Sequence, residues 1–194
     1  TSMMKSWAKA NTVAPAAALI LAGSATLEIA GPEPSSLATL GVYGGTLSGA
    51  GTRTVTGAAV LDAGILSGNG RTVIGPGGRL VIGSGAGGSL AINGGHVLAL
   101  EAGASGTWGP GPHDITLDAP SRLENAGTLD ITNDRALRGS GTLANTGTLR
   151  KLSHGTTNLA LAPADGTLLT NAGTIDIVAG TLELAGSGLE NTGV

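Results

Sequence analysis

The sequence predicts an all-β chain wound as a parallel β-helix, a β-solenoid with about 20 residues to each coil. Three observations predict it. A turn unit recurs near that spacing, short alternating apolar stretches lie between the turns, and the composition is rich in glycine and nearly free of rings.

The turn unit reads Leu-x-Asn-Ala/Thr-Gly-Thr/Val. It begins at Leu123, Leu143, Leu169 and Leu189, so its asparagines are Asn125, Asn145, Asn171 and Asn191, spaced by 20, 26 and 20 residues. A second unit, Leu-x-Gly-x-Gly, begins at Leu47, Leu66 and Leu137. This period is too short for helix-pair repeats and suits one turn of a β-helix. Between the units, TLEIA, RTVTG, RLVIG, SLAIN, HVLALE, TLDIT and TLELAG place aliphatic residues at alternate positions, the period of a strand. Gly, Asn or Pro bounds each stretch, and none carries a helical stripe.

Glycine supplies 35 of 194 residues, Phe is absent, and Trp7, Tyr43 and Trp108 are the only aromatics. Charged residues are 12% and apolar ones 41%, the reverse of a disordered chain. The glycines lack the three-residue period of collagen. A narrow solenoid, with many turns and a bore too tight for rings, accounts for this stock. The net charge is −3 with Lys and Arg scattered, which argues against a nucleic-acid partner. There are no cysteines, so disulfides and thiolate metal sites are excluded while the compartment stays open.

At the N-terminus, Lys5 and Lys9 precede an apolar run from Val13 to Ala22 that has the outline of a signal peptide. Two internal matches oppose that reading. Val13 to Leu21 (VAPAAALIL) aligns without a gap to Ile74 to Ile82 (IGPGGRLVI), with Pro15 over Pro76, and LAGSATLE from Leu21 resembles LAGSGLE from Leu184. Residues 1–12 are therefore read as an extension or cloning remnant, and 13–194 as one solenoid domain, a fragment of a longer array. No run is long enough for a membrane-spanning helix, and no membrane insertion is expected. Roughly nine coils at a strand spacing of about 4.8 Å make a rod on the order of 45 Å long.

Stacked coils turn repeated residues into columns. Asn125, Asn145, Asn171 and Asn191 form one, in which each amide can bond to the next along the axis, and Asn with the following Gly suits the bend. A second column holds Asp130, Arg150 and Asp176: acid, base, acid. Opposite charges on neighbouring strands contribute roughly 0.2–1 kcal/mol each, so the alternation supports the register. The 26-residue spacing implies a six-residue insertion, in Ser153 to Asn158 or in Pro163 to Gly166.

The densest polar cluster is HDITLD, with His113, Asp114 and Asp118 after Trp108. On a strand its two carboxylates stand roughly 13 Å apart, wider than either glycosidase geometry, and a solvated loop between Pro112 and Pro120 is the plainer reading. His96 and His154 have no ligands nearby in sequence, so neither a metal nor a cofactor is expected. Thr52, Thr54 and Thr56 form a strip of the kind ice-binding solenoids use. The next coil does not repeat it, and Thr128, Thr148 and Thr174 make a column only one residue wide.

With these repeats in view, Thr46 to Gly57 (TLSGAGTRTVTG), Ile74 to Gly85 (IGPGGRLVIGSG) and the serial LENAGTLDI-type units resemble the β-strand repeats of very large bacterial exoproteins. Those are autotransporter passengers and filamentous-haemagglutinin-like adhesins. The resemblance implies a right-handed β-helix, export to the cell surface or medium, and a role in spacing or presenting other domains. It brings no catalytic residues. The expectation is a non-enzymatic stalk or adhesin module whose partners are further coils of its parent chain or end-to-end copies, with any surface receptor unnamed. The alternatives are a subunit of a self-assembling filament and a β-helix carbohydrate-active enzyme using His113 to Asp118.

Overall fold

The computed structural model describes residues 7–10, 17–29, 31, 34–85, 87–164, 166, 168–185 and 188–194. Among them the regular structure is entirely β, 20 strands in one continuous parallel sheet, wound into about eight turns of about 22 residues. The turn length exceeds the 20 residues that the asparagine spacing suggests, because several coils carry extra residues at their corners.

The solenoid has three faces. Face A stacks β5 (Arg71–Ile74), β8 (Val97–Leu100), β11 (Arg122–Asn125), β14 (Thr142–Asn145), β17 (Leu169–Asn171) and β20 (Leu189–Asn191). Face B stacks β6 (Arg79–Ile82), β9 (Ser105–Trp108), β12 (Thr128–Ile131), β15 (Thr148–Lys151) and β18 (Thr174–Ile177). Face C stacks β7 (Gly88–Ile92), β10 (His113–Leu117), β13 (Ala136–Gly139), β16 (Thr156–Leu161) and β19 (Thr181–Leu184).

The first coils are built differently. β2 (Ala17–Ile29), β3 (Ser35–Gly49) and β4 (Thr52–Leu66) run round the corners without a break. β4 pairs in turn with β5, β6 and β7, one on each face. Strand β1 (Trp7–Ala10), inside the stretch read as an extension, pairs with Thr26 to Ile29. The Pro15 match lies outside the described residues, but its alignment holds further along. Leu19 stacks on Leu40, Leu40 on Ala59 and Ala59 on Leu80, so the aligned residues lie three coil steps apart. The other N-terminal match is not structural, since Leu21 lies on face B and Leu184 on face C.

The six extra residues of the long coil are shared between two corners. Ile131 and Leu137, six residues apart, stack on Lys151 and Leu159, which are eight apart. Leu137 and Leu143, also six apart, stack on Leu159 and Leu169, ten apart. Both segments singled out from the sequence thus contribute, two residues in one and four in the other.

Inward positions alternate with outward ones along every face, and the inward ones make one continuous core of Leu, Ile and Val from Leu21 to Leu169. Trp108 belongs to that core at 2% exposed, so the bore does admit one indole. Its neighbour two residues back on the same strand is Gly106, where an added Cβ would run into Leu100 and Leu129. The indole nitrogen donates to the His113 carbonyl at 2.9 Å.

The glycine of the turn unit is explained by stacking. Gly127, Gly147, Gly173 and Gly193 lie over one another, and a Cβ on any of them would collide with a backbone carbonyl of the coil before. The asparagines occupy the last position of their strands rather than a bend beyond them. What the unit specifies is close coil-to-coil approach, with the amide turned inward.

Candidate functional site

Four polar features stand out, and each is set by the column to which its residues belong. The first is the asparagine column of face A. Asn125 Nδ2 donates to Asn145 Oδ1 at 2.7 Å, Asn145 Nδ2 to Asn171 Oδ1 at 2.6 Å, and Asn171 Nδ2 to Asn191 Oδ1 at 2.6 Å. Further donations from Asn125 and Asn145 reach the Thr148 and Thr174 carbonyls, so these two rungs also fasten a strand of face B. Asn125, Asn145 and Asn171 are buried. On the N-terminal side the same column is aliphatic: Leu37, Val55, Ile74 and Leu100. The amides therefore replace part of the hydrophobic bore instead of decorating the surface.

The second feature is the charge column of face B, where Asp130 stacks on Arg150 and Arg150 on Asp176. The Arg150 guanidinium grips Asp130 with two bonds, Nε to Oδ1 at 2.7 Å and Nη2 to Oδ2 at 2.8 Å. Those bonds, and then the two aspartate charges, raise the arginine above its ordinary pKa. Thr128, Thr148 and Thr174 run beside this column on the same face. A charged row therefore borders the threonines, which is unlike a flat ice-matching array.

His113 to Asp118 is not a loop. His113–Leu117 is a strand with His113, Ile115 and Leu117 buried, because the period of two turns the histidine inward and Asp114 outward. Asp114 is committed to its neighbouring coil, accepting from the Ala136 amide at 3.1 Å and from Arg138 Nη2 at 2.8 Å. Asp118 lies exposed at the following corner. His113 Nε2 sits 3.9 Å from Asp62 Oδ1, and that oxygen also accepts from Ser84 and from the Gly85 amide. The segment is pinned by these contacts, and the two carboxylates are not brought together as a pair.

Two buried cations were not singled out from the sequence. Lys151 stands in an inward column of face B between Ile131 and Ile177, 1% exposed. Its ammonium is fully provided for, donating to Asp134 Oδ1 at 3.0 Å, to the Ser153 carbonyl at 2.7 Å and to the Ser153 hydroxyl. Hydrogen bonds from Lys151 and then Ser153 hold the Asp134 carboxyl below its usual range. Arg53, on face A, is 0% exposed, and Thr72 in the next coil bonds His96 Nε2 at 2.9 Å. Burial, and then the Arg53 charge, push the His96 imidazole down to about 4, so it is neutral at pH 7. Both cations sit at positions where the alternation calls for an aliphatic residue, and that break of pattern was the available signal.

An open groove of about 480 Å³ runs along face A, floored by Ala99, Ala126 and Ala144 and flanked by the Arg71–Glu124 ion pair at 2.5 Å. Among the described residues, no three of His, Cys, Asp and Glu converge as metal ligands. No family model, curated protein or solved structure matches this chain.

Proposed function

We propose that this chain is a non-enzymatic structural module, a rigid rod that spaces or presents other parts of a surface-exposed or secreted bacterial protein. The asparagine ladder carries the reading. The most regularly repeated polar residues spend their hydrogen bonds on one another, along the axis, across four coils. A column of buried amides bonded to one another adds cohesion between coils. The resemblance to β-strand repeats of autotransporter passengers and filamentous-haemagglutinin-like adhesins supports the same reading and adds extracellular or cell-surface localisation. Its test is to fuse the chain between two folded markers and measure their separation by electron microscopy. A stalk holds them at a fixed distance on the order of 40 Å, eight coils at about 4.8 Å each, whereas a broad spread of separations contradicts it.

A second reading is favoured by the last described coil, where Ile177, Leu184 and Leu189 are between 37% and 51% exposed. Strands β18 to β20 there form a sheet edge suited to receiving further coils, of a parent chain or of another copy. Uniform fibres grown from the purified chain alone favour assembly between copies. A monodisperse monomer at high concentration removes that reading.

A further inference from the structure

The inward column two residues before the asparagine column on face A reads Ser35, Arg53, Thr72, Leu98, Leu123, Leu143, Leu169 and Leu189. Five coils use leucine there. Three successive coils use hydrogen-bonding residues, all buried, at the corner where face C passes into face A.

Arg53 is the extreme case. Its Nη2 donates to the Ser48 carbonyl at 2.6 Å, while Nε and Nη1 have no partner and no exposure to water. No carboxylate among the described residues pairs with it. Ser35 Oγ, one coil before, is buried and equally unpartnered. Thr72, one coil after, is bonded to a neutral His96 whose Nδ1 is also without a partner. A guanidinium taken out of water with one carbonyl acceptor and no counter-charge among the described residues is strongly unfavourable, and Lys151 shows what this chain does when a buried cation is satisfied from within. Among the described residues, the corner around Arg53 has a positive charge and spare donors and no negative group to meet them.

We propose that this corner of the bore binds a small monovalent anion of the chloride type, held by Nε and Nη1 of Arg53 with Ser35 Oγ as a further donor. Enclosure excludes an anionic group carried on a larger molecule, since Ser35, Arg53, Thr72 and His96 are all at most 6% exposed. A bound water would accept the same hydrogen bonds but would leave the charge uncompensated. The anion is thus a structural ion of the N-terminal coils, where the asparagine ladder is absent.

The test is thermal unfolding of the full chain in sodium chloride against sodium gluconate at constant ionic strength, with Arg53→Leu as the variant. Leucine is the column's own residue in five coils, so the variant is compatible with the fold. The proposal expects Tm to climb with chloride, by roughly 3–6 °C per tenfold once the site is half filled, and the climb to vanish in Arg53→Leu. Bromide-soaked crystals should show an anomalous peak at hydrogen-bond distance from Arg53 Nε. A Tm indifferent to the anion, or an identical climb in Arg53→Leu, overturns the proposal. So does chloride independence together with a lowered Tm in Glu33→Gln. That result would make Glu33, two residues before Ser35 and outside the described residues, the counter-charge.

Discussion

Asn145 donates its side-chain amide to Asn171 at 2.6 Å across a coil of 26 residues, and Asn125 makes the same bond to Asn145 across a coil of 20. The rung is indifferent to coil length because the extra residues leave at the corners and return the strand to its place. Removing a middle rung therefore orphans groups on both sides. Asn145→Ala is expected to lower stability by about 2–4 kcal/mol in urea unfolding, and Asn145→Asp by more, because a carboxylate faces the Asn171 carbonyl with no donor. Asn125→Leu should cost less than Asn145→Leu. Asn125 stands next to Leu100 in the column, and its own Oδ1 is already without a partner.

The Asp130–Arg150 pair is partly exposed, and its worth is correspondingly modest. Arg150→Glu places three acids in one column and should destabilise by roughly 0.5–1 kcal/mol at low salt, with the loss shrinking as salt rises. Exchanging the charges, Asp130→Arg with Arg150→Asp, restores that pair but sets a second carboxylate directly beside Asp176. It should recover only part of the loss. Full recovery would show that Asp176 does not couple to position 150.

His96 sets the acid response. Its folded pKa of about 4 lies below the ordinary 6.5, so the unfolded chain binds the proton more readily. Stability is full above pH 6.5 and falls as pH drops from 6.5 through 4, by roughly 3 kcal/mol in all. His96→Ser, the residue that Ser121 provides one coil later, should flatten that slope in denaturant titrations at pH 7, 6, 5 and 4.

Lys151 replaces an aliphatic residue in its column, and its partner Asp134 is half exposed. Lys151→Met keeps the stem's volume and returns the carboxylate to water, so its cost should stay within about 1.5 kcal/mol. Lys151→Ala opens a hole between Ile131 and Ile177 and should cost about 2–4 kcal/mol by the same measurement.

The parts of this fold that showed in the sequence are those where the turn unit recurs with its residues intact. From Asn125 onward the turn unit returns at 20, 26 and 20 residues, so the ladder, the Asp130–Arg150–Asp176 column and a six-residue insertion followed from counting, while its division between two corners did not. Between Leu66 and Trp108 the coils lengthen, with Arg71 stacking on Val97 26 residues away, and the repeat loses its visible period. Polar residues in the bore were legible only where they recurred. Asn125 announced itself by repetition, whereas Arg53 and Lys151 occur once each, and a single break in the alternation does not distinguish a buried cation from a local change of face. His113 looked like part of a loop because prolines flank it, and tertiary packing overrode that local signal.

The recurring asparagines act as axial bonds inside a three-sided bore. Hydrogen exchange of the asparagine side-chain amides, followed by NMR on uniformly labelled protein, reads this directly. The amide protons of Asn145 and Asn171 should exchange orders of magnitude more slowly than those of exposed Asn69, and about as slowly as backbone amides of the core strands. If Asn145 and Asn171 exchange as fast as Asn69, the ladder does not exist and the stacking register built on it is wrong.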